Sequence, residues 1–114
     1  MAQLFDERPW GRWDICNEGE GFKVKRLLVR PGHKLSLQFH HHRSENWVVA
    51  RGEARVTVGE EVTNLKEGEH IFIPKEVVHR LENKGAEDLI VIEVQHGDYL
   101  GEDDLVRIED DYGR

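Results

Sequence analysis

The sequence predicts an all-β fold, a sandwich or closed barrel of short antiparallel strands. Three observations carry this. Short apolar or alternating runs recur about every 8–12 residues. Turns containing glycine or proline separate them. No window of about 11 residues or more shows a helical period.

Phe22, Val24, Arg26 and Leu28 alternate with Lys23, Lys25, Leu27 and Val29, until Pro31-Gly32 breaks the run. Between Lys34 and His42 the alternation is clean. Leu35, Leu37 and Phe39 take one face, and Lys34, Ser36, Gln38 and His40 the other. Asn46 to Ala50 forms the next strand, and Arg51-Gly52-Glu53 turns it into Arg55 to Val58. Gly59 opens a further turn. Glu67-Gly68 precedes a strand from His70 to Ile73, which Pro74 ends. Val77 to Leu81 runs into the turn residues Asn83-Lys84-Gly85. Leu89 to Val94, the most apolar strand, stops at Gly97. The segment from Glu102 to Tyr112 fits either a short helix or an extended arm.

A length of 114 residues suits one domain, spanning 1–114, with a modest core. The net charge of -7 argues against a nucleic-acid or anionic-membrane partner. That charge is uneven. Six acids lie between Glu102 and Asp111, whereas five basic residues and His33 lie between Lys23 and Lys34. A phosphorylated ligand is repelled by the mean field and needs a local basic cluster. The single cysteine, Cys16, cannot form an intramolecular disulfide, which fits a reducing compartment. The N-terminal residues hold no apolar run of signal-peptide length, and no stretch approaches the roughly 18 apolar residues of a membrane helix. A cytoplasmic location is expected.

Period two puts Gln38 and His40 on one face, with Cβ atoms about 6–7 Å apart. Glu45 follows five residues after His40, and His79 sits in a separate strand after Pro74. A carbonyl oxygen, a carboxylate and two imidazoles suit zinc, iron, manganese, cobalt or nickel, not a thiolate metal site. From residue types alone a plainer reading competes. An inward Gln is usually a hydrogen-bonding core residue, and Glu45 reads as a surface acid. His41 points opposite to its neighbours and is not expected to be a ligand.

The stretch Gly32-HKLSLQFHHHRSENWVVAR-Gly52 resembles the first cupin motif: a Gly, five residues, a ligand, one residue, a His, a short gap, a Glu, six residues and a Gly. The first ligand position is Gln38, where a His is commoner. Gly68-EHIFIPKEVVHRLE-Asn83 resembles the second motif, with Pro74, His79 and Asn83 in step. It departs at Glu76, where cupins often carry Gly, so a differently shaped turn is expected. The resemblance implies a double-stranded β-helix, the jelly-roll barrel, with one divalent ion held by Gln38, His40, Glu45 and His79. Zinc is the first choice, with manganese, cobalt, nickel or iron as alternatives.

Longer runs narrow this. RPWG from Arg8, KLSLQFHHHRS from Lys34, VHRLEN from Val78 and EVQHGDYLGEDDLVR from Glu93 are similar to the C-terminal isomerase domain of bifunctional mannose-1-phosphate guanylyltransferase/mannose-6-phosphate isomerases, the type II enzymes. LSLQFH also resembles a segment of type I mannose-6-phosphate isomerases in which the Gln and His bind zinc. The nucleotidyltransferase half and its Gly-rich loop have no counterpart in this sequence, so guanylyl transfer is not expected of it. The resemblance implies interconversion of mannose 6-phosphate and fructose 6-phosphate, a proton transfer between C1 and C2.

The candidate bases are His42, which shares parity with the ligands, and Glu82 and Glu93 near strand ends. For the phosphate, Lys34 and Ser36 share the ligand face, and Arg43 and Arg80 flank ligands. Gln95 and Tyr99 are candidates for the sugar hydroxyls. A non-catalytic cupin that binds metal and sugar, as a sensor or partner subunit, is the alternative. An iron dioxygenase is disfavoured by Gln38, because such sites generally use imidazoles. A homodimer is expected, because small cupins have sheet edges and apolar outer faces to cover.

Overall fold

The computed structural model describes residues 4–112. The described residues contain no helix and form β1 (Phe5–Arg8), β2 (Gly11–Gly19), β3 (Phe22–Val29), β4 (Leu37–Phe39), β5 (Arg43–Arg51), β6 (Ala54–Val58), β7 (Glu61–Leu65), β8 (His70–Ile73), β9 (His79–Glu82), β10 (Leu89–Gly97) and β11 (Val106–Glu109). A six-stranded sheet in the order β1-β2-β3-β10-β5-β8 faces a five-stranded sheet in the order β11-β4-β9-β6-β7. Every pairing between these strands is antiparallel. This is the double-stranded β-helix of the cupins, as the sequence predicts.

Three strands, β1, β2 and β7, lie outside the elements read from sequence. Both β1 and the far half of β2 are largely exposed, and only Leu65 of β7 is buried, so burial imposes little alternation there. The segment from Glu102 to Tyr112 resolves as the extended arm. Its β11 pairs with β4. The run from Lys34 to His42 is shorter than its alternation suggests: β4 covers three residues, and Lys34 makes an isolated bridge to Glu82.

The interior follows from register. Leu89 of β10 stands opposite Val29, Val91 opposite Leu27, and Glu93 opposite Lys25. On its other side β10 sets Val91 against Val49, Glu93 against Trp47, and Gln95 against Glu45. Every one of these side chains is buried. Odd-numbered positions of three neighbouring strands therefore line one inner face, apolar at one end and ionisable at the other. Trp10, Trp13, Val56, Ile73 and Leu81 extend the apolar cluster, which supplies the main drive to fold, about 1.5–3 kcal/mol per buried large side chain.

Two backbone features hold the polar end. A Cβ on Gly97 would lie 2.0 Å from the His42 carbonyl oxygen, so only glycine lets β10 approach the β4–β5 connection this closely. Glu76 takes the left-handed conformation, with φ 63°, that a glycine adopts freely. Its N–H donates to the His40 carbonyl at 2.8 Å, which ties this turn to the residue after β4. No helix among the described residues is long and apolar enough to cross a membrane.

Candidate metal centre

At the polar end both sheets contribute donors to one point. β4 and β9 meet with Gln38 directly opposite His79. His40 follows β4, and Glu45 projects inward from β5. One ligand atom each from His40, Glu45 and His79 lies within 4.8 Å of the others, and all three residues are buried. The two imidazole rings are 5.1 Å apart. Gln38 lines the same cavity as His40, and its Oε1 accepts a 2.8 Å hydrogen bond from the Ser36 hydroxyl.

The tautomers follow from the hydrogen bonds. His40 Nδ1 is 2.6 Å from the Asp104 carbonyl, and His79 Nδ1 is 2.9 Å from the Val77 carbonyl. A carbonyl only accepts, so each Nδ1 carries a proton and Nε2 is the nitrogen turned toward the cluster. His79 Nε2 is buried with no hydrogen-bond partner, and rings held at Nδ1 by carbonyls are the usual arrangement of metal-binding histidines. Burial, helped by Arg43, lowers the His40 pKa and keeps that ring neutral. Burial alone would raise the Glu45 pKa. The Arg43 guanidinium, the largest opposing cause, overcomes this and holds it well below the usual carboxylate range. Trp47 Nε1 donates to Glu45 Oε1 at 2.8 Å.

A cation already faces this donor set. Arg43 Nε lies 2.8 Å from Glu45 Oε2, and a terminal guanidinium nitrogen lies 3.3 Å from His40 Nε2. Two imidazole Nε2 atoms and an ionised carboxylate, one of those nitrogens unpartnered, fit a divalent ion of the zinc class, and Gln38 is placed to add an oxygen.

A cavity of about 100 Å³ opens beside this cluster, with Gln38, His40, Arg43, Trp10, Trp13 and Lys25 in its lining. Of the bases considered from sequence, only Glu93 lines it. Burial, with Glu45 nearby, raises the Glu93 pKa. His42 does not reach the cavity. Its side chain is half-exposed and sits 3.3 Å from Asp98. β4 ends at Phe39, and the Asp104 carboxylate accepts the backbone N–H groups of His41 and His42, so strand parity stops before His42. Glu82 faces Arg55 and Lys84 instead.

The other candidates divide similarly. Ser36 and Arg43 line the cavity. Lys34 pairs with Asp111, and Arg80 is consumed by the Leu35 carbonyl and Glu109. Tyr99 is exposed and bonds Asp103. Gln95 is buried beside the site but off the cavity wall. Its amide donates to Glu93, and its Oε1 has no partner. Sequence reading missed Arg8, Trp10, Trp13, Lys25 and Arg107 as wall residues. For Lys25 a signal existed, since it shares strand parity with the core residues Leu27 and Val29.

Comparison with known proteins identifies the family and the fold. The family model described as "Mannose-6-phosphate isomerase C-terminal" matches residues 3–110. The chain is 57% identical over 107 residues to the xanthan biosynthesis protein XanB of Xanthomonas campestris pv. campestris, covering 94% of this chain and 23% of that protein. It is 55% identical to the mannose-1-phosphate guanylyltransferase ManC of Salmonella typhimurium, covering 94% of this chain and 22% of that one. The chain thus spans less than a quarter of the length of these relatives. Among solved structures it is similar to a conserved protein with a double-stranded β-helix domain from Klebsiella pneumoniae subsp. pneumoniae. The TM-score is 0.74 at 27% identity, over 84% of this chain and 82% of that one.

Proposed function

Because the chain belongs to the mannose-6-phosphate isomerase C-terminal family, we propose that it is a metal-dependent aldose–ketose isomerase acting between mannose 6-phosphate and fructose 6-phosphate. The observation that carries the reading is one cavity holding part of a buried two-His, one-Glu donor set, a cavity-facing carboxyl and a cationic wall. His40, Glu45 and His79, with Gln38, would hold the ion, zinc first among the divalent candidates. When bound, such an ion supplies Lewis-acid polarisation of a sugar carbonyl.

The chain's own groups account for the remaining requirements. Glu93 is the carboxyl available to take and return the proton at C1 and C2, because it is the base candidate that reaches the cavity. Gln95 and Lys25 fix its position, the first by a hydrogen bond and the second as its cross-strand neighbour. The apolar faces of Trp10 and Trp13 narrow the cavity and limit water access. A second reading has one observation in its favour: Arg43 already bridges His40 and Glu45 as a cation. On that reading the protein binds sugar phosphate without turnover and without a metal.

A coupled assay for fructose 6-phosphate formation, run on the untagged protein with and without chelator, decides between them. Chelator-sensitive turnover, with about one metal per chain by elemental analysis, is the expected result. Sugar-phosphate binding that is indifferent to chelator, with no turnover, sinks the isomerase reading.

A further inference from the structure

The chain carries a net charge of -7, yet its cavity is lined by four cations, Arg8, Lys25, Arg43 and Arg107, against two carboxyls, Glu93 and Glu102. Arg43 is committed to Glu45 and His40. Of the other three, Arg8 of β1 pairs with Asp6 at 2.9 Å, Arg107 of β11 stands in register opposite Gln38, and Lys25 comes from β3. Lys25 is the most telling. Its side chain is 5% exposed, and its ammonium sits 4.3 Å from the centre of the Trp13 ring. A buried ammonium needs an anion, since the cost of leaving it unpaired is several kcal/mol. Its anion here is Glu102, whose own side chain is 46% exposed. Partial burial raises the Glu102 pKa, and Lys25, then Arg43 and Lys23, more than reverse this.

We propose that Lys25 is the cation of a phosphate subsite, and that the Glu102 carboxylate occupies it until a phosphorylated ligand displaces it. The inference deepens the sugar-phosphate reading and rests on it for the ligand's identity. Two features support the displacement, and one confines it to Glu102 itself. Glu102 belongs to the connection between β10 and β11, not to a strand, so it can withdraw without breaking a sheet. That connection is tethered by Lys23, which donates to the Leu100 carbonyl at 3.0 Å, and its Asp104 end is pinned at His41 and His42. The cavity of about 100 Å³ is also below the roughly 300–1,000 Å³ usual for small-molecule sites, so a hexose phosphate enters only if a wall residue moves. The arrangement explains how an acidic protein admits an anion. A local cation overrides the mean field, and an internal carboxylate partners it when the site is empty.

The test is calorimetric titration of the full chain with inorganic phosphate, in metal-loaded and EDTA-treated protein. Glu102→Gln removes the internal anion and is expected to tighten phosphate binding at least about fivefold. Lys25→Met is expected to weaken it at least about tenfold, the scale of one charge-assisted hydrogen bond. Both effects are expected to persist in EDTA. Unchanged, weakened or undetectable phosphate binding by Glu102→Gln overturns the proposal, as does binding that disappears with the metal. The gain in Glu102→Gln cannot arise from misfolding, so the test stands even if Lys25→Met fails to fold. A parallel isomerase assay separates the two ideas. The expected phosphate pattern without turnover supports the subsite and removes the isomerase reading. Turnover without that pattern removes the subsite alone.

Discussion

The two ends of the barrel interior are built by the same strands, with the same inward parity, for opposite purposes. At one end β3, β5 and β10 bury Val29, Val49, Leu89 and Val91. A few residues along they bury Lys25, Arg43, Glu45, Glu93 and Gln95. The first set releases free energy when it leaves water. The second costs free energy unless each charge is partnered. The apolar end therefore sets the stability that the polar end draws on, and groups left unpaired at the polar end, His79 Nε2 and Gln95 Oε1, identify where function lies.

The sharpest way to break this division is to damage one end and read the other. Leu81→Ala, at a fully buried position of the apolar cluster, is expected to cost about 2–5 kcal/mol of stability, measured by urea unfolding, with metal content unchanged in the folded fraction. The reverse experiment is His79→Ala. Metal affinity should fall by about a hundredfold or more while the strand signal in circular dichroism stays native. Retention of full metal stoichiometry and affinity by this variant removes the metal-centre assignment.

Asp104 connects the ends to pH. It is buried, and burial raises its pKa, but the N–H groups of His41 and His42 prevail and hold it below the ordinary aspartate value. Its folded value thus lies below its unfolded value, about 3.9. The stabilisation is complete above the unfolded value and is lost as pH falls through the folded one. Asp104→Asn should lower stability near pH 7 by about 1–3 kcal/mol and flatten the acid limb. Urea unfolding in chelator across that range measures both, and an unchanged acid limb would refute the role given to Asp104. The smallest effect is expected at Glu76. Glu76→Gly relieves a left-handed residue, should stabilise by about 1 kcal/mol or less, and should leave metal affinity unaltered. A destabilised Glu76→Gly protein in thermal melts would show that the side chain matters more than its backbone.

Much of the donor set was legible before the fold. Gln38 and His40 share strand parity, and the two motif spacings bring in Glu45 and His79. Parity misled where the strand was shorter than its pattern. Lys34 lies before β4 and turns to Asp111, and His42 lies after it, beyond the bend that Asp104 holds. Arg80 and Tyr99 were plausible by proximity to motif residues. Nothing in a linear spacing reveals that Glu109 and Asp103 engage them.

By itself the sequence determined the strands from β3 to β6 and from β8 to β10, most of their inward faces and the chemistry of the ligands, because these depend on local backbone period and residue type. The tertiary structure decided which inward charges meet. Lys25 faces Glu93, and Gln95 faces Glu45, only because β10 inserts between β3 and β5 in this register. Arg8 and Arg107 reach the same cavity from edge strands nearly a hundred residues apart in sequence. Period two reports which side of a strand a residue takes. Strand order and register, set by closure of the barrel around its apolar end, select its neighbours across the sheet.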